Sequence, residues 1–257
     1  MARQKLGQHF LKNGTFLQRI ADAAMSSGKS LAVEIGPGKG ALTEHLLARF
    51  HRVVAVELDP ELAQLLREKW RLEPRLEIVE RNALEADWHA WGEGVLVGNL
   101  PYYVASAIIS DYVRTPGHLS PGTFLIQKEV AERITAAPGN RDYGYFSVEC
   151  QLLSTVEYLF DVPPGAFQPP PKVDSAVIRL TPKTTPPELD VARFLGFASA
   201  CFQQKRKTLR NNLSSRYPKT VLDSRPEIGQ RAEQLSVGQF VDLYRSLNVA
   251  IAEPRPL

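Results

Sequence analysis

Short apolar runs alternate with amphipathic stretches along the first two thirds of the chain. "SLAVEI", "RVVAVEL" and "RLEIVE" read as strands. Between the first two, "ALTEHLLARF" puts Leu42, Leu46 and Leu47 on one helical face. Between the second and third, "PELAQLLREKW" is a helix with Asp59 as its cap and Pro60 in its first turn. "VLVGN" is a fourth strand followed by the helix "ASAIISDYV", and "GTFLIQ" a fifth that leads into the helix "KEVAERIT". After "FSVECQLL" come two more strands, "TVEYLF" and "SAVIRL", with only a proline-rich loop between them. The alternation predicts right-handed crossovers and a mostly parallel sheet with helices on both faces, an α/β fold. The last two strands, lacking a helix between them, are expected to form an antiparallel hairpin at one edge.

The pattern changes at "TPKTTPPELD", residues 181–190, which has no apolar period and reads as a linker. Beyond it, "VARFLGFASACFQQKRKTLRNNLSS", "RPEIGQRAEQLS" and "SVGQFVDLYRSLNVA" each read as a helix. The expected organisation is an α/β domain over 1–183, with residues 1–13 as an arm, and a small all-helical domain over 184–257. A chain of 257 residues, 44% hydrophobic and 23% charged, can build such cores without staples. Cys150 and Cys201 match no metal or redox spacing, which suits a reducing cytosol and predicts no metal centre. No apolar run reaches membrane-spanning length, and the basic start lacks the apolar stretch of a signal peptide. A cytoplasmic monomer without a membrane partner is expected.

A net charge of +3 says little, but its distribution says more. Arg3, Lys5 and Lys12 lie in the arm. From Val191 to Leu222 there is no Asp or Glu, yet Lys205, Arg206, Lys207 and Arg210 fall there with Arg193, Arg216 and Lys219. Such a segment suits a nucleic-acid backbone. A solvated helix face is the alternative.

Two stretches carry candidate chemistry. The first strand runs into "EIGPGKGAL", with Gly36, Gly38 and Gly40 between strand and helix. Glycines there let backbone N–H groups approach a ligand closely. Glu57, near the end of the second strand, can accept hydrogen bonds from the hydroxyls of an adenosine ribose. Gly36, Gly38 and Ala41 also satisfy a dinucleotide pattern, so a nicotinamide-dependent oxidoreductase competes, as does a glycine turn that is only a turn. Asn82, after the third strand and beside Ala83, is placed to meet an adenine edge, or is an ordinary turn asparagine.

The second stretch is "GNLPY", directly after "VLV". Pro101 fixes its own φ and pushes Leu100 toward an extended conformation, which can aim the Leu100 carbonyl and the Asn99 side-chain oxygen in one direction. Two acceptors beside the face of Tyr102 form a socket for the amino edge of a base. An adenine amine is a poor nucleophile because its lone pair is delocalised; acceptors on both N–H bonds favour the pyramidal nitrogen that can attack a cationic methyl donor. A capped strand end followed by core tyrosines is the bland reading.

With "KLGQHFL" at 5–11, "EIGPGKGALT" at 34–43, "VELD" at 56–59, "GNLPY" at 98–102, "QKEVAERI" at 127–134, "FQPPPKVDSAV" at 167–177 and "FQQKRKTLRNNL" at 202–213, the chain resembles the KsgA-type ribosomal RNA adenine dimethyltransferases. These are a branch of the S-adenosylmethionine-dependent methyltransferases with a Rossmann-like sheet. The resemblance implies that His9 and Leu11 close over the donor, Gly36 approaches its methionine end, Glu57 its ribose and Asn82 its adenine. Asn99 would lie between donor and target, Tyr102 would stack on the target adenine, and Phe167 would stack on its other face. Phe167 without the resemblance reads as a core anchor. Position 82 departs from the family, which more often has Asp, and loses charge-assisted strengthening; His9 replaces a frequent Asn.

The implied activity is transfer of two methyls to N6 of each of two adjacent adenosines in the 3′-terminal hairpin of small-subunit ribosomal RNA. The target must be unstacked to enter the socket. The segment at 205–219 would hold RNA phosphates, the helical domain would help select the substrate, and recognition would involve a partly assembled small ribosomal subunit. A non-catalytic RNA-binding assembly factor and a large-subunit methylase of the macrolide-resistance type are the other readings. Intact Asn99, Pro101 and Tyr102 oppose the first, and "PPPKVDS" with the long helical tail opposes the second.

Overall fold

The computed structural model describes residues 9–25, 28–115, 117, 119–185 and 188–252. Arg3, Lys5 and the start of "KLGQHFL" lie outside them, as do Pro186 and Pro187 of the linker. In chain order the elements are β1 (Phe10–Leu11), α1 (Gly14–Met25), β2 (Leu31–Ile35), α2 (Ala41–Leu47), β3 (Arg52–Glu57), α3 (Pro60–Lys69), β4 (Leu76–Glu80), β5 (Gly94–Asn99), α4 (Ala105–Arg114) and β6 (Leu119–Gln127). There follow α5 (Lys128–Thr135), α6 (Tyr145–Leu153), β7 (Ser154–Val162), β8 (Phe167–Gln168), β9 (Ser175–Pro182), α7 (Val191–Cys201), α8 (Leu209–Leu213), α9 (Lys219–Leu222) and α10 (Val237–Ala252).

The apolar runs become one seven-stranded sheet of order β4-β3-β2-β5-β6-β9-β7. Its first five strands are parallel, and β9 pairs antiparallel with both β6 and β7, which gives the expected antiparallel edge. Every residue of β2 is buried, as parallel strands covered on both faces require. Asp59 caps α3 through Oδ1, which accepts from the Glu61 N–H at 2.9 Å, and Pro60 occupies the first turn. Among the unexpected elements are α1, α9 and the two-residue strands β1 and β8, which pair antiparallel. A two-residue strand leaves no period to read.

The chain divides into two compact units, Met1–Ala131 with Ser154–Pro182, and Glu132–Leu153 with Lys183–Leu257. The expected domain border after residue 183 therefore needs correction at Glu132–Leu153, which leaves the α/β unit. The reason is apolar: Tyr143, Val148 and Leu152 are buried in one cluster with Phe194, Leu209 and Phe240. A helix inserted between strands gives no sequence sign of which core it joins.

Two expected helices are also corrected. Residues 191–215 form α7 and α8 with a turn between them. Asn212, 5% exposed, causes the break. Its Oδ1 accepts from the Gln204 N–H at 3.1 Å, while Nδ2 donates to the Cys201 carbonyl at 2.7 Å and to the Gln204 carbonyl at 3.3 Å. One buried amide thus replaces the helical partners of the turn. "RPEIGQRAEQLS" forms two 3₁₀ turns, Pro226–Gly229 and Ala232–Gln234. Asn212→Ala would orphan these loop groups and is expected to cost about 2–3 kcal/mol, seen as a lower denaturant midpoint with the pocket of the α/β unit intact.

Candidate active site

The order β3-β2-β5 places the carboxyl ends of β2 and β5 side by side where the chain direction around the sheet reverses. Ligands of open α/β sheets bind outside such a switch point. Gly36 and Gly38 follow β2 with φ of 65° and 58°, a left-handed path that disfavours any side chain. The Gly38 N–H donates to Glu57 Oε2 at 3.0 Å. Oε1 of the same carboxylate accepts from the N–H groups of Leu58 at 2.9 Å and Asp59 at 3.0 Å. Glu57 is only 4% exposed. Burial raises its pKa, and the three N–H bonds act against that rise.

The Asn-Leu-Pro-Tyr stretch stands opposite. Asn99 Nδ2 donates to the His9 carbonyl at 3.3 Å, so the amide's oxygen end is the acceptor left over. The Leu100 N–H donates to the Leu125 carbonyl at 3.0 Å, and its side chain is buried. The Pro101 carbonyl accepts from the N–H groups of Val104 and Ala105, which starts α4. Tyr102 is half-buried, its hydroxyl 2.8 Å from Ser175 Oγ. The His9 ring stacks on one side of it, centroids 5.8 Å apart and planes at 29°.

The arm closes this space. In β1, Leu11 pairs with Phe167 and Phe10 with Gln168. His9 Nδ1 donates to the Pro169 carbonyl at 2.9 Å. Phe10 lies against the glycine turn so closely that a Cβ on Gly38 would stand 2.8 Å from its ring. One cavity of about 150 Å³ results. Its walls include His9, Leu11, Gly36, Gly38, Glu57 and Asn99, and Leu100, Pro101 and Tyr102 complete it. Most of the site residues expected from sequence are therefore brought together.

Others are not. Phe167 is 5% exposed in the core cluster with Leu11, Leu17 and Val162, so its side chain is packed in the core and does not line the cavity, which corrects its expected place against a base. Asn82 and Ala83 are not in the cavity walls. Asn82 Oδ1 accepts from the Leu84 N–H at 3.1 Å and Nδ2 donates to Glu85 Oε1 at 3.1 Å, so both ends of the amide serve the turn. In the helical unit Lys205, Arg206, Lys207 and Arg210 are all exposed. Lys205 Nζ donates to the Arg141 carbonyl. Arg210 grips Asp223 with two hydrogen bonds of 2.6 and 2.9 Å.

Sequence reasoning missed Glu34, Phe10, Lys12 and Tyr103, all of which line the cavity. Glu34 left a signal, an acid inside the apolar strand "SLAVEI". It is 1% exposed, and its Oε2 accepts from the Thr43 hydroxyl at 2.6 Å. Burial pushes this carboxyl up to about 8; the Thr43 bond opposes the rise and the charge of Glu57 adds to it. Among the described residues no cluster of His, Cys, Asp and Glu could hold a metal ion, and no helix is long and apolar enough to cross a membrane.

Fold and cavity together define a class: an α/β fold with a ligand-sized cavity at the carboxyl ends of its strands, between a glycine turn and Asn99. Comparison with known proteins narrows it. The family model for ribosomal RNA adenine dimethylase matches residues 1–249. A protein of Acidobacterium capsulatum named ribosomal RNA small subunit methyltransferase A is 43% identical over 257 residues, covering 95% of this chain and 91% of its own. One of the same name from Cupriavidus taiwanensis is 37% identical, with 96% and 94% covered. Among solved structures, a dimethyladenosine transferase from Plasmodium falciparum superposes with a TM-score of 0.82 at 25% identity, covering 94% of this chain and 98% of its own. The 23S rRNA methyltransferase ErmE gives 0.75 at 28% identity, with 93% and 99% covered. The chain belongs to the ribosomal RNA adenine dimethylase family. It is an enzyme that dimethylates adenine N6 in ribosomal RNA with S-adenosylmethionine as methyl donor, which removes the nicotinamide and non-catalytic readings.

Glu34 sets a pH test. Neutral in the fold and ionised in the unfolded chain between its ordinary 4.5 and about 8, it lowers stability as pH rises through that window. Glu34→Gln keeps an acceptor for Thr43 without that penalty. Thermal unfolding is expected to show similar stabilities at pH 4.5 and a variant more stable by up to a few kcal/mol at pH 8.

Proposed function

We propose that the substrate is the 3′-terminal hairpin of small-subunit ribosomal RNA, where the enzyme dimethylates N6 of two adjacent adenosines. It acts in the cytoplasm, as a monomer, on a partly assembled small subunit. The relatives named as small-subunit methyltransferases favour this over a large-subunit target. The observation that carries the reading is the Asn99 amide, tied by nitrogen to the His9 carbonyl, beside the half-buried ring of Tyr102 and across from the glycine turn.

The residues fit the donor. A carboxylate offers roughly four lone-pair sites, and three on Glu57 already accept backbone N–H groups, which leaves about one for a ribose hydroxyl. Gly36, its ideal Cβ position 3.7 Å from the Asn99 carbonyl oxygen, lets the methionine end lie against bare backbone. His9 and Leu11 cover it from the arm, and Asn82 with Ala83 reaches the adenine if the turn amide exchanges its Glu85 contact. S-adenosylmethionine supplies an electrophilic methyl carbon on a sulfonium.

The chain's own residues do the rest. Asn99 Oδ1 and the Leu100 carbonyl accept the two N–H bonds of the target amine and draw its nitrogen out of conjugation. Tyr102 holds the flipped base by stacking. These dipoles are fixed before the base arrives, Leu100 through its bond to Leu125 and Asn99 through His9, so little reorganisation remains at the reaction step. Phe167 contributes indirectly, as the partner of Leu11 that keeps the arm shut. Lys205, Arg206 and Lys207 meet RNA phosphates from their exposed turn, and Arg210 joins them by exchanging Asp223 for a phosphate.

Incubation with labelled donor and under-methylated small subunits, followed by mapping, is expected to place the label on two neighbouring adenines of that hairpin. Label in large-subunit RNA instead overturns the proposal. Asn99→Ala is expected to slow transfer by about 100-fold or more while donor binding persists. An unimpaired variant would show that the chemistry lies elsewhere.

A further inference from the structure

The stretch "FQPPPKVDSAV" contains a residue, Ser175, to which neither sequence nor mechanism has yet given a task. Ser175 is the first residue of β9 and is fully buried. Its Oγ lies 2.8 Å from the hydroxyl of Tyr102. We propose that Ser175 is a positioning residue for methyl transfer: by holding the far end of the Tyr102 side chain it fixes the plane on which the target adenine stacks. The inference rests on Tyr102 being the stacking ring of the proposed function.

The geometry suits that task. A tyrosine ring swings about two side-chain torsions, and both are fixed only when the ring is held at the hydroxyl as well as at Cβ. The backbone end is set by Pro101, whose carbonyl accepts from Val104 and Ala105 at 3.0 Å each. The hydroxyl end is set by Ser175, which cannot drift because it pairs with Gln127 of β6 on one side and Val162 of β7 on the other. Ser175 is at 0% exposure, so its hydroxyl is held within the packed sheet. The segment before it reaches the same ring by a second route. The Pro169 carbonyl accepts from His9, whose imidazole stacks on Tyr102. One proline-rich loop therefore supports the ring from its edge and from one side, although neither Ser175 nor Pro169 lines the cavity.

Ser175→Ala and Tyr102→Phe each remove the same hydrogen bond, one from each partner. Single-turnover transfer to under-methylated small subunits at saturating donor is expected to slow about 5- to 10-fold in each. The double variant is expected to be no slower than the worse single one, since only one bond is lost. Donor affinity, measured by calorimetry, is expected to stay at the wild-type value, which a general loosening of the sheet would not allow. Losses that multiply in the double variant, wild-type rates in both single variants, or a fall in donor affinity matching the fall in rate would each overturn the proposal. Tyr102→Phe leaves the buried strand untouched and carries the test if Ser175→Ala fails to fold. Tyr102→Ala separates the two levels of the argument. If it transfers methyl normally, the stacking role itself is wrong; if it is inactive while Tyr102→Phe and Ser175→Ala are unimpaired, only the positioning role of Ser175 falls.

Discussion

A single buried carboxylate organises the ligand crevice. Glu57 takes hydrogen bonds from Gly38 on the turn after β2 and from Leu58 and Asp59 at the end of its own strand. Two separate stretches of chain are thereby held at one point, in a place almost closed to water. Low local dielectric makes those bonds strong and makes their loss expensive. The left-handed turn before α2 and the capped start of α3 at Asp59 both meet at that anchor. Its burial disfavours the charge it carries, which is why three N–H donors are gathered around it.

The other side of the crevice is built differently. Asn99, Leu100 and Tyr102 each spend one group on the scaffold. Asn99 gives its nitrogen to His9, Leu100 its N–H to Leu125, and Tyr102 its hydroxyl to Ser175. Such anchoring keeps a polar site rigid. It also makes the arm part of the site, since His9 contacts both Asn99 and Tyr102 while β1 is pinned by β8. Glu34, buried just before the glycine turn and hydrogen-bonded by Thr43, adds a second acid in the same walls.

The helical unit follows another logic. Its core is aromatic, with Phe194 and Tyr244 meeting edge-on at 5.5 Å, and its basic turn is exposed. Asn212 holds that turn from beneath, so Lys205, Arg206 and Lys207 project from a fixed backbone. The pairing of Arg210 with Asp223 is a solvent-exposed bridge of modest worth.

The sequence by itself determined the strands of the sheet, its antiparallel edge and about half of the crevice walls. Those depend on local causes: apolar period, a cap at Asp59, glycines that alone tolerate positive φ, a proline after Asn99. Tertiary structure decided what local causes leave open. The two-residue strands β1 and β8 exist only because each finds the other, and their pairing buried Phe167, whose residue type suits a stack as well as a core. The break after α7 depends on an amide eleven residues beyond Cys201, and the home of Glu132–Leu153 on a cluster assembled from the far end of the chain. Asn82 was readable as a ligand group or a turn cap, and only the positions of Leu84 and Glu85 assigned its side chain to the turn. Long-range contacts make these choices because a single residue's chemistry permits more than one partner, and the packed fold brings only some of them within reach.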